Sequence, residues 1–319
     1  MKIAFWSSTK GNAGVTSNMA CISIVAALGY SYKAILLENH YQTNNIGHLI
    51  KYHHGNLLQT VNTNHMNALG MNHIMRSLSI GNFFLSSKQS NYDNDSDDPY
   101  SINHSKTESW LLNDSNCKYK RKEKDTIDII KEATLEIIDN YLYYLPTSTM
   151  VPSNVYDFAM LDYVKNILDA AQELADIIYI DTSKDNYLST KIILEDVDLV
   201  VVNLNQTINE FKYFFQNYAS LTNKCVFLIS KYQAKSELSI HKLSNLFSIP
   251  KSRIEGIPYD EDYQEALNRG SLVEFLSSNF DCSYYDPIYT FIDGIEKAVT
   301  MILMEGFQRK KGGWNEAKA

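Results

Sequence analysis

The stretch Ile3-Ala4-Phe5-Trp6-Ser7-Ser8-Thr9-Lys10-Gly11-Asn12-Ala13-Gly14-Val15-Thr16-Ser17 decides how the rest of the chain is read. A short apolar run gives way to turn formers, and a helical pattern follows from Thr16 to Leu28. The order is strand, loop, helix. After a break at Gly29-Tyr30-Ser31, the run Lys33-Ala34-Ile35-Leu36-Leu37 supplies a second buried strand. Residues 1 to 38 therefore predict a βαβ unit with parallel strands and a right-handed crossover.

Working outward, the same alternation recurs. Apolar runs at Asp176–Asp181, Leu199–Asn203 and Cys225–Ser230 are separated by helical segments. Strands that are apolar throughout must be covered on both faces, so the fold class is α/β, a doubly wound and mostly parallel sheet with helices on both sides. The spacing of Ile127, Ile130, Leu135 and Ile138 predicts a helix over Thr126 to Asp139, followed by a strand at Tyr141 to Leu145 and a helix over Tyr156 to Leu174. A last long helix, Ile288 to Phe307, carries Ile288, Phe291, Ile292, Ile295, Val299, Ile302 and Leu303 on one stripe, which reads as core. Between Lys51 and Lys124 the pattern dissolves into Asn, His, Ser and Asp, with the acidic run Asp93 to Asp98 inside it. That composition reads as a partly mobile insertion in one domain spanning 1–308, with 309–319 as a basic tail.

Composition narrows the function classes. At 319 residues and 45% hydrophobic content the chain buries a sizeable core. A net charge of −8 offers no general basic face for phosphate neutralisation, so there is no strong nucleic-acid signal. The four cysteines, Cys21, Cys117, Cys225 and Cys282, form no CxxC pair and read as reduced thiols. The N-terminal apolar run is too short for a signal peptide, and no stretch approaches the roughly 18 apolar residues of a membrane span, so a cytoplasmic location is expected.

A loop between a first strand and a first helix suits phosphate, because backbone N–H groups and the helix N-terminus converge on an anion. The general pattern GxxxxGK[ST] adds a lysine for the β- and γ-phosphates and a hydroxyl for magnesium. Here Gly14-Val15-Thr16 lacks that lysine. The whole stretch Lys10-Gly11-Asn12-Ala13-Gly14-Val15-Thr16-Ser17 nevertheless resembles the deviant Walker A loop KGGxGK[ST][ST] of the MinD/ParA family, departing from it at Asn12 and Val15 and keeping its signature lysine at Lys10. Further segments match in order. Leu142-Tyr143-Tyr144-Leu145-Pro146 resembles the family's LxxLP strand, Asp176 to Thr182 its Walker B segment DxxxxDT, and Gly256-Ile257-Pro258-Tyr259-Asp260 with Ala266-Leu267-Asn268-Arg269-Gly270 its C-terminal signature.

The resemblance implies ATP or ADP with Mg2+ as cofactors and a homodimer. It places Lys10, Gly11, Asn12, Ala13, Gly14, Val15, Thr16 and Ser17 around the phosphates, with Ser230 and Pro258 near the base. Thr16 and Asp181 would serve the metal, and Lys10 would reach the partner subunit's nucleotide. Glu38-Asn39-His40 stands where the family carries a DxD pair, which makes Glu38 and His40 candidate catalytic residues beside Lys10. With Val15 and His40 substituted, ATP binding with weak or absent hydrolysis is expected. Within the family the chain resembles the TadZ/CpaE branch, which implies positioning of Tad pilus or secretion machinery through protein partners. An active partition ATPase and a nucleotide-free scaffold are the alternatives.

Three smaller features read as surface. Asp93 to Asp98 opens like a calcium loop but has Asp98 where the loop needs glycine and His104 where it needs glutamate. His48, His53 and His54 have no second ligand cluster. Arg309-Lys310-Lys311 with Trp314 is the one segment suited to anionic lipid, but the stripe preceding it reads as core, so peripheral membrane contact is not expected.

Overall fold

The computed structural model describes residues 1–9, 13–40, 45–50, 70, 71, 73, 74, 77, 125–147, 153–182 and 188–316. Lys10, Gly11, Asn12, the acidic run from Asp93 to Asp98, His53, His54 and Cys117 lie outside these residues, as does most of the 51–124 segment. In chain order the elements are β1 (Lys2–Trp6), α1 (Val15–Gly29), β2 (Ala34–Asn39), α2 (Asn45–Leu49), α3 (Thr126–Ala133), β3 (Leu135–Ile138) and β4 (Leu142–Leu145). They continue with α4 (Ser153–Leu174), β5 (Ile177–Thr182), α5 (Leu188–Asp196), β6 (Leu199–Asn205), α6 (Ile208–Asn217), β7 (Cys225–Tyr232) and α7 (Ile240–Phe247). The last are β8 (Ile254–Pro258), α8 (Glu261–Arg269), α9 (Leu272–Asn279) and α10 (Tyr289–Glu316).

Among the described residues the strands form one sheet in the order β3-β4-β2-β5-β1-β6-β7-β8. All pairings are parallel except β3 with β4. The chain leaves β1 for β2, returns to β5 beside β1, and then crosses to β6 on the far side of β1. That reversal opens a crevice at the carboxyl ends of β1, β5 and β6, where ligands bind in sheets of this kind.

Alternation along each strand divides the core into two layers. Ile3, Phe5, Leu36, Tyr179 and Val201 face one side, with Met19 and Ile22 of α1 and Ile295, Val299 and Ile302 of α10. Ala4, Trp6, Leu37, Ile180 and Val202 face the other, with Met160 and Val164 of α4 and Phe211 and Phe214 of α6. Both faces are covered, which is why these strands carry unbroken apolar runs. The stripe on α10 is core as expected: Phe291, Ile292, Ile295, Val299, Ile302 and Leu303 are buried, each contributing about 1.5–3 kcal/mol if fully transferred from water.

The expected helix over Thr126 to Asp139 is half helix and half strand. It ends at Ala133, and Leu135–Ile138 pairs antiparallel with β4. Thr134 takes an extended conformation at φ −87° and ψ 147°, and the β-branched pair Ile137-Ile138 suits a strand. Asn140, at φ 66°, turns the chain back into β4. Part of the segment read as an insertion also belongs to the core. The Gly70 N–H donates to the Ala133 carbonyl, the Met71 N–H donates to the Pro146 carbonyl, and Met71 and Ile74 are fully buried.

Candidate functional site

The site is built at the carboxyl end of β1. Ser7 closes the strand end, its hydroxyl accepting the Thr9 N–H at 3.3 Å. The chain re-enters at Ala13 and turns at Gly14, which sits in the left-handed region at φ 66° and ψ 27°. A side chain there would be strained and would also press on Ser230 Oγ at 3.2 Å and on the Asn18 amide at 3.3 Å. Helix α1 starts at once, with no side-chain cap and no acidic residue in its first turn. Among the described residues no side chain caps its first N–H groups, and its positive dipole end faces the crevice.

Thr16 and Asp181 meet across this crevice. The Thr16 hydroxyl donates to Asp181 Oδ2 at 2.6 Å, joining the first turn of α1 to the end of β5. His40 Nε2, just past the end of β2, lies 3.1 Å from the same oxygen. The second oxygen, Asp181 Oδ1, is buried without a hydrogen-bond partner. A fully buried carboxylate with one unanswered oxygen beside a threonine hydroxyl is a hard, anionic donor set, and it fits a magnesium ion completed by water and phosphate oxygens. In that fit Thr16 and Asp181 hold the ion, which would neutralise phosphate charge. No cluster of three or more His, Cys, Asp or Glu that could hold a metal ion occurs among the described residues.

Glu38 is placed opposite Asp181 by the β2–β5 register and is fully buried. Its carboxylate accepts the Asn45 and Ile46 N–H groups at 3.0 and 3.1 Å and the Tyr144 hydroxyl. Burial raises its pKa to about 7, the nearby Asp181 charge pushes the same way, and these hydrogen bonds pull back only in part. The bonds join the end of β2 to the start of α2 and to β4. Thr147 donates to the His40 carbonyl and Tyr156 to that of Glu38, fixing the backbone on either side of Asn39.

The remaining residues from the sequence reading fall on two levels. Val15 is buried in the layer with Met19 and Ile46, so its side chain belongs to the core. The Ser17 hydroxyl turns back to the Gly14 carbonyl, and the Ser17 carbonyl accepts Tyr263 Oη–H from α8. Ser230, read as lying near the base, has its hydroxyl beneath the loop, donating to the Ala13 carbonyl. Pro258 ends β8 against α10, where a Cβ on Gly294 would come within 2.5 Å of its ring. Lys10, Gly11 and Asn12 lie outside the described residues.

Asn18, Asn203 and Tyr144 join the site without having been singled out. Each carries one polar group inside an apolar segment, and that was the available signal. Asn18 precedes the apolar stretch Met19 to Ile22 of its helix, and Asn203 ends the run Leu199-Val200-Val201-Val202.

No family model and no curated protein matches the chain. Solved structures do. A ParA family ATPase from Chlorobium tepidum superposes with a TM-score of 0.58 at 12% identity, covering 94% of this chain and 98% of that one. A chain of the MinC:MinD cell division protein complex of Aquifex aeolicus gives 0.54 at 12% identity, with 95% of each chain covered. The septum site-determining protein MinD of Pyrococcus horikoshii, complexed with Mg-ADP, gives 0.52 at 14% identity over 94% of this chain and 95% of that one. The eight-stranded sheet, its crevice and these superpositions give the chain the fold of the MinD/ParA-type P-loop ATPases.

Proposed function

We propose that this chain is a nucleotide-responsive switch that pairs with a second copy of itself and positions a larger protein assembly, in the manner of TadZ/CpaE proteins at Tad pilus or secretion machinery. The observation that carries the proposal is the contact of the Thr16 hydroxyl with the buried Asp181 carboxylate below an uncapped helix N-terminus. Nothing in the packing of the core requires two hard oxygen groups there, whereas Mg-nucleotide does. Support for low turnover comes from Val15, an apolar core residue at the sequence position where the loop pattern has a lysine, and from His40, which stands beside Asp181 in place of a second acid. Phosphoryl transfer relies on cations at the transferred group and on a positioned nucleophile, and both are thinned here.

The imidazole at Asp181 favours one rival, a nucleotide-free scaffold in which His40 fills the role of the ion. Isothermal titration of Mg-ATP and Mg-ADP into the native chain separates the two. Micromolar binding with little turnover is expected. Absence of heat with the native chain, together with binding by a Val15→Lys variant, would assign the scaffold role. Sustained turnover stimulated by DNA or a protein partner would assign a working partition ATPase instead.

A further inference from the structure

Beneath the loop lies a connected set of buried polar groups that neither the core nor the metal contact accounts for. Asn18, Asn203 and Ser230 are 3%, 0% and 4% exposed, and they come from α1, β6 and β7. The Asn18 side-chain amide donates to Asn203 Oδ1 at 2.9 Å and to Ser230 Oγ at 2.8 Å. Asn203 in turn donates to the Val201 carbonyl at 3.1 Å and to the Trp6 carbonyl at 3.4 Å. The Ser230 hydroxyl, filled as an acceptor by Asn18, donates its own hydrogen to the Ala13 carbonyl. The chain of bonds thus starts at the last residue of β1 and ends on the loop that leaves it. Buried polar groups cost more than apolar packing unless they are hydrogen-bonded, so the convergence of these bonds on the Ala13 carbonyl points to a specific job.

The job follows from amide geometry. In a trans peptide the C=O and N–H point in opposite directions, and no cis bond occurs among the described residues. Holding the Ala13 carbonyl down onto Ser230 therefore turns the Gly14 N–H away from the sheet, toward the crevice where the first turn of α1 presents its own amides. We infer that Ser230, braced by Asn18 and Asn203, is a positioning residue that aims the Gly14 N–H at a bound oligophosphate and so takes over part of the orienting work of the absent lysine. This rests on the nucleotide-binding reading above and deepens it. It also gives Ser230 a role on the phosphate side of the site.

The test compares the native chain with Ser230→Ala and with Ser230→Thr, which keeps the hydroxyl, using Mg-ATP and inorganic tripolyphosphate as separate probes. The expected result is a roughly tenfold weaker Kd for both probes in Ser230→Ala, the loss of about one buried hydrogen bond, with recovery in Ser230→Thr. Unchanged affinity for both, or weakening for Mg-ATP alone, overturns the inference; the second result would place Ser230 at the base. Amide exchange of the peptide spanning residues 13–17 is read in parallel. If the native chain binds neither probe, the nucleotide reading falls, and exchange alone decides: faster opening in Ser230→Ala than in the native chain and Ser230→Thr upholds the brace, and equal rates overturn it.

Discussion

At the scale of single residues, Asp181 and Glu38 face each other across one strand pair and are held in opposite ways. Asp181 meets a hydroxyl and an imidazole, whereas Glu38 is enclosed by burial and two N–H donors. Asp181→Asn and Thr16→Ala are expected to remove the magnesium dependence of ATP binding and to weaken it at least tenfold, checked by titration with and without EDTA. Glu38 yields a pH prediction. Its pKa is raised in the fold from 4.5 to about 7, so the folded state binds the proton more tightly than the unfolded chain. The contribution of Glu38 to stability is then fully present below pH 4.5, is lost as pH rises toward 7, and levels off above it, the total being about 3 kcal/mol. Glu38→Gln should flatten that fall, measured as urea midpoints between pH 5 and 8. Thr16, Asp181, Glu38 and His40 were legible in the sequence because each sits at a fixed offset in a local motif. Asn18 and Asn203 were not, since neither belongs to a motif quoted above and their partners lie far away in the chain.

Among the elements, the parallel strands were readable from apolar runs alone, because burial on both faces removes the ambiguity of alternation. The segment at Thr126 to Asp139 misled for the opposite reason. Ile127, Ile130, Leu135 and Ile138 match a helical period by chance across an element boundary, and the break at Thr134 carries neither Gly nor Pro. The better signal was the Asp139-Asn140 turn with β-branched residues just before it. Asn140 occupies the left-handed region there and its N–H donates to Glu136 Oε1 at 2.6 Å. Asn140→Ala is expected to cost about 1 kcal/mol and Asn140→Gly to cost nothing measurable, as read by thermal unfolding of the two variants. Equal losses would mean that the side chain of Asn140 matters more than its backbone.

For the whole molecule, the most informative position is Gly70, inside the segment that composition marks as a partly mobile insertion in the domain. It has φ +70°, and a Cβ there would sit 2.4 Å from the Pro146 carbonyl oxygen, contact that no rotamer relieves. Gly70→Ala should therefore destabilise the entire fold by at least about 2 kcal/mol, visible as a lower urea midpoint with one cooperative transition. A change confined to protease sensitivity within the segment would show instead that residues near Gly70 fold apart from the sheet. The polar composition around it hid this docking, which among the described residues Met71 and Ile74 carry into the core. One feature of the sheet reaches beyond the folded state. The central strand β1 is flanked by β5 and β6, which begin at Ile177 and Leu199. During synthesis β1 thus waits, with Ile3 to Trp6 unpaired in the sheet, until its partner strands far downstream have emerged. Loop closures of that length make folding slow, and they leave a sticky hydrophobic template open to holdase chaperones on the ribosome until β6 arrives.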